Sequence, residues 1–231
     1  MSSSTETPSI SIEGKATIVA KADIGFVDLY TRADGMLLED AIAESLSKTE
    51  KIVGAITASG HDLKGILVTD VQIGERKPGL PSSKDSPKPE VIKNILVTIL
   101  PSPGTAAKIV DMASRLGASL QNAIGSVFGG GTLSSAIMYG LVDRDAIEES
   151  AMNGAIEDAQ KTAARTAKLV GKSVGRILGM SKIETSGTGT RTMGLARKGK
   201  ESKFATDYLS LSPDKVEVTA SLTMLFELLD S

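Results

Sequence analysis

The triplet at residues 171–173, GKS, has the ending of a phosphate-binding loop, and it is one of the few places where this sequence could hold a nucleotide. Such a loop follows the pattern G-x-x-x-x-G-K-[ST] and lies between a strand and a helix. Here Thr166 stands where the first glycine is required, and the triplet follows a helical pattern. The sequence therefore favours a helix cap at Gly171 over a nucleotide site.

Two glycine-rich segments are the next candidates for ligand contacts, residues 125–132 (GSVFGGGT) and 186–194 (SGTGTRTMG). The glycines of the second segment do not fit the dinucleotide fingerprint G-x-G-x-x-G, and no apolar helix follows them. Both segments are therefore predicted to be loops. Backbone amides in such loops can still hold an anion, so a small-anion or ligand-binding module stays open as an alternative function.

The titratable side chains do not form a recognisable catalytic set. The chain has no cysteine and a single histidine, His61, which excludes disulfides, thiolate catalysis, histidine clusters and Ser-His pairs elsewhere in the chain, and leaves His61 only the alternative of a lone general base. His61 is interpreted as a solvated turn residue beside Asp62. We therefore predict no catalytic residue, no metal site and no cofactor, and we expect a protein that is not an enzyme.

The charged residues give no stronger indication of a site. Carboxylates that are adjacent in a helix, such as Glu157 and Asp158, point about 100° apart and cannot work as a facing pair. The net charge of −2 argues against nucleic acid as a partner, because such binding needs a surplus of Lys and Arg. Five basic residues in a loop without aromatic side chains are interpreted as solvated: Arg191, Arg197, Lys198, Lys200 and Lys203.

The elements that would have to position these residues follow the order ββαββαβαββ, which indicates an α+β fold with a mainly antiparallel sheet and helices packed on one face. The predicted helices are residues 36–58, 103–116 and 145–170, the last beginning with a capping box at Asp145 and Glu148. The predicted strands are residues 10–20, 24–31, 65–73, 91–100, 134–142, 174–184 and 216–228. Residues 1–9 are expected to be a disordered lead to a single domain over 10–231, in which the polar segment 74–90 allows two lobes.

The third helix repeats its smallest side chain every four residues. Residues four apart form one ridge on a helix, and a ridge of small side chains lets the helix backbone approach its neighbour closely. The sequence therefore predicts a packing surface and no chemistry along this ridge. Its members are Ala151, Ala155, Ala159, Ala163 and Ala167.

The last strand is the clearest alternating segment of the chain. Apolar residues from Val216 to Leu228, including Met224 and Phe226, share one face and polar residues share the other. A strand of this length either bends around a core or extends into a neighbouring chain. We therefore predict that Met224 and Phe226 contribute to self-association as well as to the core.

Several segments together resemble the SIMPL-domain family in the same order along the chain. The helix A-M-N-G-A-I-E-D-A at 151–159 resembles the signature helix of that family, and residues 13–29, 59–73, 97–119 and 213–228 resemble its other segments. The resemblance implies an α+β fold, assembly of identical subunits into rings or hollow particles, and no established activity or cofactor. It also implies an envelope-associated or stress-associated role.

Bulk composition is consistent with a globular protein. The 231 residues are 41% hydrophobic and only 3% aromatic, so the core is expected to be aliphatic. No segment approaches the ~20 apolar residues of a membrane span, and the first residues do not have the pattern of a signal peptide. We therefore expect a periplasmic or envelope protein if a signal has been removed, as the family resemblance implies, and a cytoplasmic protein otherwise.

Overall fold

The structure is a computed structural model that describes residues 7–68, 71–76, 88–120, 137–181, 183–187 and 209–230. Within these ranges the helices are α1 (Leu38–Ala58), α2 (Pro103–Arg115) and α3 (Asp145–Leu169). The strands are β1 (Ser9–Ala20), β2 (Ile24–Asp34), β3 (Leu63–Val68), β4 (Gln72–Arg76), β5 (Lys88–Ile99), β6 (Ala118–Leu120), β7 (Ile137–Gly140), β8 (Lys172–Met180), β9 (Glu184–Gly187), β10 (Leu209–Ser210) and β11 (Val216–Asp230).

The strands are divided between two antiparallel sheets. In the smaller one, β11 lies at the centre, with β1 on one side and with β9 and β8 on the other. We call it the small sheet. The large sheet has the order β10-β7-β2-β5-β3, with β4 also paired to β5 and β6 also paired to β2.

Each sheet is covered by helices on one face, and each covered face has its own core. The apolar face of β11 packs under α3 together with the even-numbered residues of β1. The large sheet packs α1 and α2 against the inner faces of β2 and β5, where Ile52, Ile56 and Ile109 are fully buried. A third, smaller cluster with Phe26 and Leu96 lies on the opposite face of the large sheet.

The helix boundaries follow the local signals in the sequence. Ser102 accepts a hydrogen bond from the backbone N–H of Thr105 at 3.2 Å, and Pro103 occupies the first turn of α2, where a missing N–H costs nothing. The three helices are followed by Gly60, Gly117 and Gly171, all with positive φ, which glycine adopts without steric cost.

The α+β class, the antiparallel pairing and the helices on one face are confirmed. The predicted order becomes the observed order when four short strands are added: β4, β6, β9 and β10. The predicted capping box is wrong, because Arg144 is the N-cap of α3 and makes no side-chain cap. Asp23 instead binds the chain just before α3, accepting hydrogen bonds from the backbone N–H groups of Val142 and Asp143 at 2.9 and 3.0 Å.

Candidate functional site

The alanine ridge lies at the contact between α3 and the small sheet. All five alanines are fully buried there, and the helix packs on β1 and β11. A Cβ atom added to Gly14 of β1 would lie 2.1 Å from the carbonyl oxygen of Ala155 and 2.7 Å from the Cβ of Ala159. The close approach therefore depends on small residues on both sides of the contact.

Sequence reasoning found only the helix side of this contact. Besides Gly14, the sheet contributes Ala16, and a Cβ added to Gly154 of α3 would lie 2.8 Å from the Cβ of Ala16. The signal that could have revealed the sheet side is a pair of small residues, at 14 and 16, in an alternating strand whose other core-facing positions are mostly larger. Small residues on one face of a strand allow the same close packing as a ridge on a helix.

Asp158 has a role that its position in the sequence did not predict. Its carboxylate accepts a hydrogen bond from the backbone N–H of Lys15 in the middle of β1, at 3.1 Å. Within the described residues β1 pairs only with β11, so this N–H points toward the open edge of the small sheet. The carboxylate satisfies one backbone donor of that edge and places a negative charge beside it, which opposes the addition of another strand.

The last strand is central in the small sheet, a position that the sequence did not predict. β1 covers one side of β11 along most of its length, while β9 and β8 pair in turn with the other side. Met224 and Phe226 are buried in the core under α3. Their packing role is thus inside the chain, and their contribution to assembly stays a prediction.

The exposed apolar residues of the small sheet gather at its other edge. Ile177 and Met180 of β8 are 49% and 55% exposed, and Leu178 between them is also exposed. Consecutive strand residues point to opposite faces, so neither face of β8 is covered at Ile177 and Leu178. We call the following set the β8 patch: Ile177, Leu178 and Met180 of β8 with Leu225 and Leu229 of the neighbouring β11.

Two ion pairs between β8 and β11 lie beside the β8 patch. Arg176 lies 3.3 Å from Glu227, and Lys172 pairs with Asp230 at the far end of β11. The hydrogen bond from Lys172, together with its charge, lowers the pKa of the Asp230 carboxyl, so this pair stays charged at neutral pH. An apolar centre with a charged rim is the usual arrangement of a protein–protein contact surface.

The structure does not bring the remaining candidates from the sequence together in one site, and some of them lie outside the described residues. Gly171 ends α3 and Lys172 begins β8, so the GKS triplet is a helix cap followed by a strand. His61 lies in the turn between α1 and β3, half-buried. The glycine-rich segment 125–132, most of 186–194 and the basic residues of 191–203 lie outside the described residues, so the anion-binding alternative stays untested.

The described part of the chain contains neither a metal-binding cluster nor a membrane-spanning helix. Within it, no group of three or more His, Cys, Asp or Glu side chains is placed to hold a metal ion. None of the three described helices is both long and apolar enough to cross a bilayer.

Comparison with known families gives one match that spans both sheets. Residues 10–226 match the SIMPL family, described as a protein of unknown function (DUF541). The chain belongs to the SIMPL family. The match covers nearly the whole chain, from the start of β1 almost to the end of β11, which confirms the resemblance seen in the sequence. No curated protein matches this SIMPL chain.

Proposed function

We propose that this SIMPL chain is a non-enzymatic protein that assembles with copies of itself and that the β8 patch is its contact surface. The observation that carries the proposal is an edge strand with three exposed apolar side chains. Within the described residues, β8 pairs only with β11, so its other side offers backbone hydrogen-bonding groups to a further strand. Exposed apolar side chains on such an edge favour association.

The contrast between the two edges of the small sheet supports a contact of defined direction. At the β1 edge, Asp158 binds the N–H of Lys15 and adds a charge that repels an incoming strand. At the β8 edge, three exposed side chains are apolar, Ile177, Leu178 and Met180, and the exposed Arg176 is paired with Glu227. Association through one edge only produces limited assemblies, because a second open edge would allow the sheet to extend without end.

The form of the assembly and its place in the cell are the parts of this proposal that rest on the family resemblance. A ring or hollow particle of identical subunits is the arrangement that the resemblance implies, and it requires a second contact surface on each subunit besides the β8 patch. An envelope-associated or stress-associated role has the same support.

The test is the solution mass of the protein with a charge placed in the β8 patch. Ile177→Lys puts a positive charge on the edge strand, which is the device that natural edge strands use against pairing. We expect light scattering to show an assembly for the wild-type protein and a smaller species for Ile177→Lys. The matched control is Met36→Lys, an equal change at a residue that is 81% exposed and precedes α1.

The result is interpreted only for variants whose circular dichroism matches that of the wild type. A wild-type protein that is monomeric at all concentrations would overturn the proposal of self-assembly. An assembly that survives Ile177→Lys unchanged would exclude the β8 patch as the contact surface. Dissociation by both variants would show that added positive charge, and not the patch, controls the mass.

A further inference from the structure

The face of the large sheet that points away from α1 and α2 carries a mixed row of side chains. On β2 this row contains Phe26, Asp28 and Tyr30, because alternate residues of a strand share a face. The antiparallel register places Thr98 of β5 opposite Phe26, and Leu96 opposite Asp28. Each of these two cross-strand pairs therefore combines one apolar residue, Phe26 or Leu96, with one polar residue, Thr98 or Asp28.

Asp28 is a buried carboxylate without a partner among the described residues. It is 5% exposed, and no hydrogen bond or ion pair joins it to any residue of the described ranges. Burial raises the pKa of Asp28 from 3.8 to about 6. At neutral pH the carboxyl group of Asp28 is therefore charged in most molecules, although it is buried. Buried charges in proteins are normally paired, so an unpaired one requires an explanation.

The hydroxyl group of Thr98, on the same face of the sheet, also has no hydrogen-bond partner within the described part of the chain. Thr98 is 1% exposed, and its Oγ1 atom makes no hydrogen bond. It is the diagonal neighbour of Asp28 across the β2–β5 pair, a position at which the Cβ atoms are roughly 7–8 Å apart. Two buried polar groups on neighbouring strands thus lie on the same face of the large sheet, and neither has a hydrogen-bond partner among the described residues.

The cation that β2 itself places on this face, Arg32, already has other partners. Arg32 is four residues further along β2, about 13 Å at the usual strand rise. Its Nε atom lies 3.0 Å from a carboxylate oxygen of Glu90, and its guanidinium lies 6.0 Å from the centre of the Tyr30 ring. Arg32 therefore does not neutralise Asp28.

A metal ion does not fit these groups. Hard cations such as Ca²⁺ take six or more oxygen ligands, usually including several carboxylates. Among the described residues, no cluster of three or more His, Cys, Asp or Glu side chains could supply them. A group that carries a positive charge and donates hydrogen bonds to two oxygens fits both side chains, which is the chemistry of an ammonium group.

The row becomes less buried in one direction. Phe26 and Thr98 are buried, Tyr30 and its cross-strand partner Asn94 are half-buried, and Asp34 at the end of β2 is exposed. A ligand that enters from the Asp34 end would pass the Tyr30 ring before it reached Asp28. The aromatic ring and Leu96 would then contact the body of the ligand, and Phe26 would close the deep end.

We propose that Asp28 and Thr98 bind the protonated amine of a small organic molecule whose apolar body lies against Leu96 and Tyr30. The ammonium group donates hydrogen bonds to the carboxylate of Asp28 and to the hydroxyl of Thr98. The carboxylate supplies the opposite charge, and the apolar neighbours exclude water that would weaken the pair.

The experiment compares an amine with a neutral molecule of the same shape. Wild-type protein is titrated by calorimetry with n-hexylammonium chloride and, separately, with n-hexanol at neutral pH. We expect the alcohol to bind at least about tenfold more weakly, because a charged hydrogen bond to Asp28 is replaced by a neutral one. Asp28→Asn should remove this preference, whereas Asp34→Asn at the exposed end of the same strand should keep it.

Thr98→Val provides a second test that does not change the charge of the protein. It removes the hydroxyl at constant shape and should weaken binding of the amine more than binding of the alcohol. Equal binding of both probes to the wild type, or no binding of the amine, would overturn the proposal. An amine preference that persists in folded Asp28→Asn would place the amine elsewhere on the protein and overturn it as well.

Discussion

The helices of this protein pack on the two sheets through side chains of different size, small ones on the small sheet and large ones on the large sheet. In the small sheet, α3 contacts the strands through alanines and glycines, so closely that a Cβ on Gly14 would lie 2.1 Å from a backbone oxygen. In the large sheet, α1 and α2 contact the strands through buried isoleucines such as Ile56 and Ile109. The contact of α3 has no room for additional atoms, whereas the contact of α1 and α2 is stabilised by the large side chains that fill it.

The two layers also differ in how their polar groups are satisfied. Asp158 of α3 has a backbone donor at 3.1 Å, and Thr31 and Thr49 in the core of the large sheet have hydroxyl oxygens 3.2 Å apart. Asp28, on the other face of the large sheet, is buried without a partner among the described residues. Asp158 at the α3 contact is thus hydrogen-bonded, whereas the outer face of the large sheet keeps a buried carboxylate that lowers stability at neutral pH.

The largest expected effect is the loss of a large side chain from the α1 contact. Ile56→Ala removes a fully buried side chain, and we expect the free energy of unfolding to fall by about 2–5 kcal/mol, because a cavity remains where the side chain was. Urea denaturation measures the change. Leu46→Ala, an exposed position on the same helix, is the control and should cost far less. Equal losses for both variants would show that the α1 contact is not packed as described.

The next effect is expected at Asp28 and depends on pH. The pKa of Asp28 is about 6 in the folded protein and 3.8 is its ordinary value, so between these values the folded state holds a proton that the unfolded state has released. Stability is therefore expected to fall as pH rises from about 4 to about 6 and to stay lower above that. Burial is the cause of the raised pKa of Asp28. The charged groups on the same face, Arg32, Asp34 and Glu90, lie further along the two strands.

Asp28→Asn removes this titration. We expect the variant to be more stable than the wild type at neutral pH, by up to about 3 kcal/mol, and to be close to it in acid below the ordinary pKa. Urea denaturation of both proteins over a pH series gives the difference, in which the titration of all other groups cancels. A difference that stays constant between acid and neutral pH would contradict the burial of an ionisable Asp28.

The smallest of the three effects is overpacking of the alanine ridge. Ala159→Leu and Ala163→Leu add atoms where α3 touches the small sheet, and we expect each to cost about 1–3 kcal/mol. Leucine is nearly as good a helix former as alanine, so helix propensity does not account for such a loss. The control is Gln160→Leu, which is exposed beside the ridge. Thermal melts that coincide for the ridge variants and the control would show that the close contact tolerates added volume.

Much of the secondary structure could be predicted because its signals are local. The spacing of Ala151 to Ala167 identified the buried face of α3, and Pro103 and Gly117 marked the limits of α2. The division into two sheets had no such signal, because alternation shows which face of a strand is buried and not which strand lies beside it. For the same reason the length of β11 suggested a contact between chains, whereas β1, β8 and β9 cover it within the chain.

The candidate sites were the least predictable part of the molecule. Nothing near Asp28 in the sequence distinguishes it from a surface carboxylate, and Asp158 was considered only as half of a pair with Glu157. Their properties arise from residues distant in the chain: Thr98 for Asp28, and Lys15 for Asp158, 143 positions away. The β8 patch was missed because β8 reads as an ordinary strand, and its exposure depends on how far α3 extends over the sheet.

The sequence by itself determined which residues face a core, where the helices end and which chemistries are excluded, since these depend on periodicity, on backbone conformation and on the absence of cysteine. Only the tertiary structure decided that Gly14 lies against Ala155, that β8 pairs only with β11 among the described strands, and that Asp28 and Thr98 are diagonal neighbours on one buried face. Each of these depends on strand register and helix placement, which bring together residues that no local pattern connects.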